Sequence, residues 1–304
     1  MNHLYTINEP AAAALDKAGT APVMLYAFDG FVDSGLAAGL AIGDFVSRDG
    51  VERLVTFNAD ELVDYRSRRP SAVFGQGGWL DLYQPTIAID LAHDAVGSPF
   101  LLMYGPEPDT RWQAFGDAVV EVARTFGVRL AVGMHGMPSA APHTREWRVT
   151  GPAESAELVR RAAGSPTSKI QLPGSAMALT ELKLRAAGHE SVTFAVHVPH
   201  YLAQMPSPMG TASLLRAVGS AAGLTFDLVA IDEAAETQRS QIDRQVAEQP
   251  ELAAAISQLE ERHDSDSVGQ LTAEALPSGD EIAAEFQRFL ATQMGKDEES
   301  PFTE

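Results

Sequence analysis

The stretch that decides the fold is Phe28-Asp29-Gly30-Phe31-Val32-Asp33-Ser34-Gly35. It continues a nearly uninterrupted apolar run, residues 23–28, which is bounded by Pro22 and is typical of a strand buried on both faces of a parallel sheet. Ser34 is a suitable N-cap for a helix over residues 34–50. We therefore predict a buried strand that passes through a loop with two acids and two glycines into a helix.

The alternation of strand and helix continues along the chain. Apolar runs predict further strands at residues 54–57, 86–91, 100–104, 130–134 and 191–198. Apolar residues at three- and four-residue spacing predict helices at 112–126, 153–163 and 175–187, and another that ends near Ala222. Such alternation is typical of an α/β fold, so we expect a parallel or mixed central sheet with helices on both faces.

Residues 58–83 interrupt this regularity. They contain the basic cluster Arg66, Arg68 and Arg69, followed by Gly75-Gln76-Gly77-Gly78. A polar, glycine-containing stretch of this length inside a compact domain is usually a functional loop or an interface arm. The arginines could bind an anion or the acidic surface of a partner, including the acidic region of a second copy, and a solvated loop is the alternative.

Charge divides the chain unevenly. The 304 residues carry a net charge of −19, and residues 227–304 hold 19 acids and 5 bases, or −14, against −5 for residues 1–226. We therefore predict an α/β core domain over residues 1–226, an acidic helical extension over 227–295 and a disordered tail over 296–304. Within the extension, Pro250 is expected to separate two helices, and apolar spacing predicts a further one at 282–290.

The totals also disfavour several classes of function. A net charge of −19 opposes binding to a phosphate backbone, so no nucleic-acid partner is expected. The absence of cysteine excludes disulfides and thiolate metal sites and suits a reducing cytoplasm. No apolar run approaches eighteen residues and the first residues lack a secretion signal, so we expect a soluble, cytoplasmic protein without membrane contact.

Polar residues are expected to meet at the carboxyl ends of the strands, where doubly wound sheets bind their ligands. Two carboxylates, a histidine and an arginine could perform acid and base chemistry on a polar small molecule, with the arginine holding an anionic group. The candidate crevice residues are Asp29, Asp33, Glu107, Asp109, His143, Arg145 and His200. No catalytic residue is assigned among them.

Simpler interpretations compete with each of these features. Asp33 could cap the helix that follows it, since a helix N-terminus favours negative charge. Glycines 30, 35 and 39 do not have the spacing of a phosphate-binding loop and no Lys follows them, so tight turns and close packing explain them better. No serine lies in the elbow motif of the hydrolases.

His197 and His200 are three residues apart at the end of a predicted strand. Two strand residues at this spacing point to opposite faces of the sheet, and no third ligand stands at a recognised spacing. We therefore predict no metal site and no cofactor, and expect one core histidine beside one loop histidine.

The chain resembles the proteasome-assembly-chaperone family of the second-subunit type, in its actinobacterial branch. The resemblance covers about residues 20–225. It is carried by Phe28-Asp29-Gly30-Phe31-Val32-Asp33-Ser34-Gly35, Asp64-Tyr65-Arg66-Ser67-Arg68-Arg69-Pro70, Gly105-Pro106-Glu107-Pro108-Asp109 with Trp112, Pro142-His143-Thr144-Arg145, and His197-Val198-Pro199-His200-Tyr201-Leu202. It implies an α/β fold of the purine-nucleoside-phosphorylase type and a role in assembling or engaging the core proteasome.

Two features implied by relatives are missing here. Archaeal relatives can dock on proteasomes through a C-terminal tail with Tyr as the penultimate residue, whereas this chain ends Phe302-Thr303-Glu304. Some bacterial members have been described as ATP-grasp-like ligases, but no phosphate-gripping Lys loop or ordered pair of magnesium-binding carboxylates is present.

Two functional hypotheses follow. The first is a non-enzymatic, homo-oligomeric scaffold of the assembly-chaperone kind, with three copies as the working number and proteasome subunits as candidate partners. Its contact surface would involve residues 58–83 and the acidic helices. The alternative is a hydrolase, phosphorylase or sensor for a nucleoside-like or phosphate-containing ligand, which requires the crevice residues to converge on one pocket.

Overall fold

A mixed sheet of eight strands forms the centre of the computed structural model, which describes residues 4–151 and 173–266. The spatial order of these strands is β1-β3-β6-β7-β2-β8-β10-β9. Their bounds are β1 Tyr5–Ile7, β2 Val23–Tyr26, β3 Glu52–Phe57, β6 Ala88–His93, β7 Pro99–Tyr104, β8 Leu130–Ser139, β9 Val149–Thr150 and β10 Glu190–Pro199. Strands β4 Ala72–Gly75 and β5 Gly78–Leu82 form a separate two-stranded sheet.

The middle of the sheet is parallel and its edges are antiparallel. Strand β2 pairs in parallel with β7 and β8, and β8 pairs in parallel with β10. Strands β1, β3 and β6 add to one side and β9 to the other, all in antiparallel pairs. Every residue of β2 is buried, as expected for a central strand covered on both faces. The prediction of a mixed α/β sheet is confirmed.

Helices cover both faces of the sheet. The helices are α1 Glu9–Ala18, α2 Ala37–Val46, α3 Ala59–Leu62, α4 Trp112–Thr125, α5 Ala176–Ala186, α6 Pro208–Ala222, α7 Val229–Glu248 and α8 Pro250–Asp266. Helices α2, α6 and α7 pack on the face that carries Leu25, and α1, α4 and α5 pack on the face that carries Tyr26. Because side chains alternate along β2, adjacent residues of this strand enter two separate hydrophobic cores.

Several predicted boundaries differ in the structure. The helix expected from residue 34 begins as a 3-10 turn at Ser34–Leu36 and becomes α-helical at Ala37, because Gly35 and Leu36 both have positive φ. The strand predicted at 130–134 is longer in the structure, since β8 continues to Ser139 beside β10. Residues 58–83 contain the short helix α3 and the β4–β5 hairpin.

The acidic region begins with two helices in series. Helix α7 ends at Glu248, Gln249 is extended and Pro250 starts α8, as the proline predicted. The helices predicted at 153–163 and 282–290 and the tail at 296–304 lie outside the described residues, and the domain boundary at 226 stays a prediction. Within the described ranges, no helix combines the length and apolarity needed to cross a membrane.

Candidate functional site

Asp33 joins the start of α2 to strand β8. Its carboxylate accepts hydrogen bonds from the backbone N–H groups of Ala38 (3.1 Å), Gly39 (2.8 Å) and Gly136 (2.7 Å). Burial raises the pKa of Asp33, and these three donors oppose that rise by stabilising the charged form. Asp33, and not Ser34, therefore caps the start of α2, and its carboxylate also links this start to β8.

The loop before Asp33 needs glycine at two close approaches. Gly30 has φ 135° and a Cβ there would lie 2.5 Å from Nη2 of Arg68. Gly35 has φ 70° and its Cβ would lie 2.8 Å from Cβ of Ser207. The glycines therefore serve backbone conformation and close packing, the simpler interpretation of the sequence.

Arg68 ties this loop to the segment after β7. Its Nη1 donates to the backbone oxygen of Asp29 at 3.1 Å, and its Nη2 lies 3.4 Å from Oδ1 of Asp109. Asp109 also accepts a hydrogen bond from the backbone N–H of Asp64 at 2.8 Å. Arg68 and Asp109 thus hold the ends of three loops together, whereas Arg66 and Arg69 are exposed and form no ion pair within the described residues.

A cavity of about 220 Å³ lies beside this junction. It is bounded by the ends of β2 and β7, the middle of β8 and the first three turns of α2, and its titratable lining includes Asp29, Asp33 and His135. The cavity lies where strand ends were expected to gather a ligand. Asp29 and His135 are the groups best able to meet one, because the carboxylate of Asp33 already accepts three hydrogen bonds.

The electrostatics of this cavity depend on burial. Burial lowers the pKa of His135, although the nearby Asp33 carboxylate opposes the change. Burial also raises the pKa of Asp29, reinforced by Asp33 and opposed by Arg68. His135 was missed as a candidate, although it directly follows the predicted strand 130–134 and so belongs to the same sheet edge as Asp29.

The side chain of Glu107 does not line the cavity, although its backbone N–H donates to the backbone oxygen of Asp29 at 2.7 Å. Its Oε1 accepts a hydrogen bond of 2.6 Å from the backbone N–H of Ala176, the first residue of α5, in a buried setting. A carboxylate at a helix N-terminus is favoured by the helix dipole and satisfies a donor that lacks an intrahelical partner. We therefore interpret Glu107 as a residue that anchors the start of α5.

His143 contacts the acidic helices. The hydroxyl of Tyr201 accepts from the backbone N–H of His143 at 2.7 Å and lies 2.7 Å from its Nδ1, while Nε2 lies 3.1 Å from Oδ1 of Asp243 in α7. This network is complete if Tyr201 donates to Nδ1 and the Nε2–H donates to Asp243. Burial raises the pKa of Tyr201 to about 12, opposed by the His143 N–H and reinforced by Glu260.

Arg145 extends the same connection to α8. Its Nη1 lies 3.3 Å from Oε1 of Glu260, and Thr144 also donates to that oxygen through its hydroxyl. His200 is exposed and its ring meets that of Tyr201 edge to face at 5.4 Å. The seven crevice residues thus separate: Asp29 and Asp33 line the cavity, Glu107 and Asp109 anchor loops and a helix, and His143, Arg145 and His200 lie at or near the acidic helices.

His197 and His200 do not share a ligand position. Nε2 of His197 lies 3.1 Å from Oγ1 of Thr150. Burial, with added repulsion from Arg148 and His135, lowers the pKa of His197 to about 4. No cluster of three or more His, Cys, Asp or Glu side chains suited to a metal occurs in residues 4–151 and 173–266.

The β4–β5 hairpin carries an exposed apolar surface, which we call the hairpin arm (residues 72–83). Phe74 and Trp79 face each other across the two strands, with ring centroids 5.1 Å apart, and are 68% and 73% exposed. Leu80 and Tyr83 are 67% and 66% exposed. The sequence predicted a loop or interface arm in this segment but not an apolar surface. The signal that was missed is the presence of Phe74, Trp79 and Leu80 within eight residues of one another.

Comparison with known proteins identifies relatives. The model of the PAC2 family matches residues 27–246. No curated protein matches significantly.

Solved structures match over most of the chain. A Mycobacterium tuberculosis protein of unknown function, Rv2714, is 36% identical with a TM-score of 0.81, covering 88% of this chain and 93% of its own. A Corynebacterium glutamicum protein of unknown function is 30% identical with a TM-score of 0.81, covering 87% and 98%. Rv2125 of M. tuberculosis, described as a proteasome-assembly chaperone homologue, is 29% identical with a TM-score of 0.70, covering 77% and 99%.

Proposed function

The chain belongs to the PAC2 family, and from its surface we propose that it is a chaperone-like, homo-oligomeric scaffold that acts by binding proteins in the cytoplasm. The hairpin arm is the observation that carries this proposal. Phe74, Trp79 and Leu80 are each more than two-thirds exposed and adjacent. Clusters of exposed apolar side chains can mark sites of protein contact.

The isolation of the arm strengthens this interpretation. Strands β4 and β5 pair with each other and with no other strand in the described ranges. A two-stranded hairpin is marginally stable in water without a surface to pack against. A partner that covers the aromatic side chains would therefore stabilise the arm as well as bind it.

Two kinds of partner fit the proposal. Copies of the chain itself would give the homo-oligomer, with three copies as the working number. Proteasome subunits are the second kind, because the 29% identical Rv2125 is described as a proteasome-assembly chaperone homologue. The separation of the crevice residues into different clusters favours this scaffold over an enzyme, since catalysis needs those groups within reach of one ligand.

Recovery of tagged protein from its host after mild crosslinking tests the proteasome partner. We expect stoichiometric enrichment of proteasome subunits with the wild type and its loss with Phe74→Ser/Trp79→Ser. Val96→Ser is the matched control, because Val96 is 71% exposed and lies in the turn between β6 and β7, outside the arm. Equal recovery of these subunits by both variants would exclude the arm as their binding surface, and no enrichment by wild type would exclude the proteasome.

The cavity beside Asp29 supports a second candidate function, a sensor or enzyme for a nucleoside-like or phosphate-containing ligand. Its volume of about 220 Å³ and its pairing of a carboxylate with an imidazole are the supporting observations. Thermal-shift measurements with nucleosides, nucleotides and phosphate test it, because any ligand well above its dissociation constant stabilises the native state. A stabilisation that His135→Ala abolishes would support this function, and no shift at millimolar ligand would reject it.

A further inference from the structure

We propose that the hairpin arm of one copy docks into the groove between α8 and the His200–Tyr201 turn of a second copy. The inference rests on the proposed homo-oligomeric function and names the surface that receives the arm. It is carried by two surfaces that have no partner in the part of the chain that the structure describes and that are complementary in polarity and in charge.

The receiving groove is mostly apolar and accessible. It has a volume of about 260 Å³ and is lined on the α8 side by Leu252, Ala255, Ile256 and Leu259, together with the polar side chains of Gln258 and Arg262. Ile256 is 4% exposed and forms the floor, while Ala255 lies at the surface. His200 and Tyr201 supply the opposite wall with two aromatic rings at right angles. Aromatic side chains such as Trp79 and Phe74 are suited to a wall of this kind, because edge-to-face ring contacts add to apolar burial.

Charge complements shape at the two surfaces. Helices α7 and α8, residues 229–266, contain ten acids and three arginines, a net charge of −7. Glu248, the last residue of α7, and Glu251, the second residue of α8, are exposed and form no ion pair within the described residues. Glu251 stands four residues before Ala255, so it lies along the edge of the groove. Arg66 and Arg69, at the base of the arm, are the exposed cations that can meet these carboxylates.

Among the described residues, none covers the arm or the groove. Trp79 is 73% exposed, and the groove is open. A contact between these two surfaces would therefore join two molecules. Because the arm and the groove are different surfaces, each copy would give its arm to one neighbour and receive the arm of another. Such head-to-tail contacts close into a ring when the rotation between copies permits.

Crosslinking of engineered cysteines tests this docking directly, because the chain contains no native cysteine. Full-length Gln76→Cys and Ala255→Cys chains are mixed, allowed to exchange and treated with a short bifunctional thiol crosslinker. Gln76 is exposed in the turn between β4 and β5, so this variant keeps both aromatic side chains of the arm. The mixed product should exceed that of Val96→Cys with Ala255→Cys by about tenfold, because thiols held in one interface react at high effective concentration. A chain with both cysteines should give a ladder that ends at the ring size.

The outcomes separate this inference from the proposed function. If the protein is oligomeric but the Gln76–Ala255 product only equals the Val96 control, the docking site is wrong and the scaffold stands. A predominant Gln76–Gln76 product would likewise overturn it, since the arms would then pair with each other. A wild type that stays monomeric would overturn both.

Charge reversal provides an independent test. Arg66→Glu/Arg69→Glu should weaken association by about tenfold or more, and adding Glu248→Arg/Glu251→Arg to the same chain should restore it. Lys17→Glu/Arg124→Glu is the matched control, because both residues are exposed on helices remote in sequence from the arm and the groove. The pairing of these charges would be contradicted if the fourfold variant did not regain wild-type association while Lys17→Glu/Arg124→Glu associated as the wild type does.

Discussion

Nε2 of His143 lies 3.1 Å from Oδ1 of Asp243, although the two residues are 100 positions apart in the chain. The side chain of His143 is 1% exposed and that of Asp243 is 52% exposed. This contact joins the turn after β8 to α7, and the neighbouring contacts of Thr144 and Arg145 with Glu260 join the same turn to α8. Residues that resemble a catalytic set in the sequence hold the acidic helices against the α/β core.

Removing His143 should loosen these helices. We expect His143→Ala to lower the free energy of unfolding by about 1–3 kcal/mol, because the hydroxyl of Tyr201 loses Nδ1 and the carboxylate of Asp243 loses Nε2 as hydrogen-bond partners. Amide hydrogen exchange in α7 and α8 should accelerate more than in the central strands. Arg239→Ala is the control, since Arg239 is exposed on α7. If amide exchange in α7 and α8 were the same in His143→Ala and Arg239→Ala, the turn would not hold these helices.

Arg68 and Arg66 should differ although they are two residues apart. Arg68→Ala removes the contacts with Asp29 and Asp109, and we expect a loss of about 1–2 kcal/mol in the free energy of unfolding. Arg66→Ala should change it by less than about 0.5 kcal/mol, as is usual for an exposed side chain. Chemical denaturation of the two variants measures the difference. Equal stabilities would contradict the role of Arg68 as a tie between loops.

Asp33 is expected to be the most sensitive residue of the loop that precedes α2. Asp33→Ala leaves the N–H groups of Ala38, Gly39 and Gly136 without their acceptor, so we expect a loss of about 2 kcal/mol or more. Asp33→Asn should lose less, because the amide oxygen still accepts. Asp49→Ala, at an exposed turn, is the control. A thermal melt of Asp33→Ala equal to wild type would refute the capping role.

Asp29 gives a pH-dependent prediction. Its pKa is raised in the folded protein, so the folded state binds this proton more tightly than the unfolded state and stability falls as pH rises through the folded pKa. Asp29→Asn should therefore raise the melting temperature at pH 7, and the gain should disappear below the unfolded pKa near 3.8. Asp49→Asn serves as control. An increase in the melting temperature of Asp29→Asn over wild type that becomes larger at lower pH would contradict the raised pKa of Asp29.

The central fold could be predicted because its signals are local. The apolar run at residues 23–28 specifies a strand buried on both faces, and the following Asp29 and Asp33 mark the sheet edge. Antiparallel edge strands were harder to assign, since orientation depends on pairing between distant segments. The hairpin at 72–83 was missed as a strand pair because its glycines and the nearby arginines are also typical of loops.

The candidate site could be predicted only in part. Asp29 and Asp33 lie at the cavity because both belong to the loop that follows β2. His143 and Arg145 also follow a strand of the same edge, but β8 continues to Ser139 and the turn then reaches α7 and α8. The sequence could not predict that His143 and Arg145 contact Asp243 and Glu260, because these are two of many acids in that region.

The oligomeric state of a hairpin-arm variant tests the central claim most directly. Native mass spectrometry of the full chain should show a wild-type oligomer, a monomer for Phe74→Ser/Trp79→Ser and a wild-type oligomer for Val96→Ser. Circular dichroism should show that all three are folded, because the substituted side chains are exposed and outside the core. An oligomer that survives in Phe74→Ser/Trp79→Ser, or a wild type that is itself monomeric, would contradict the account of the arm as the surface on which this protein assembles.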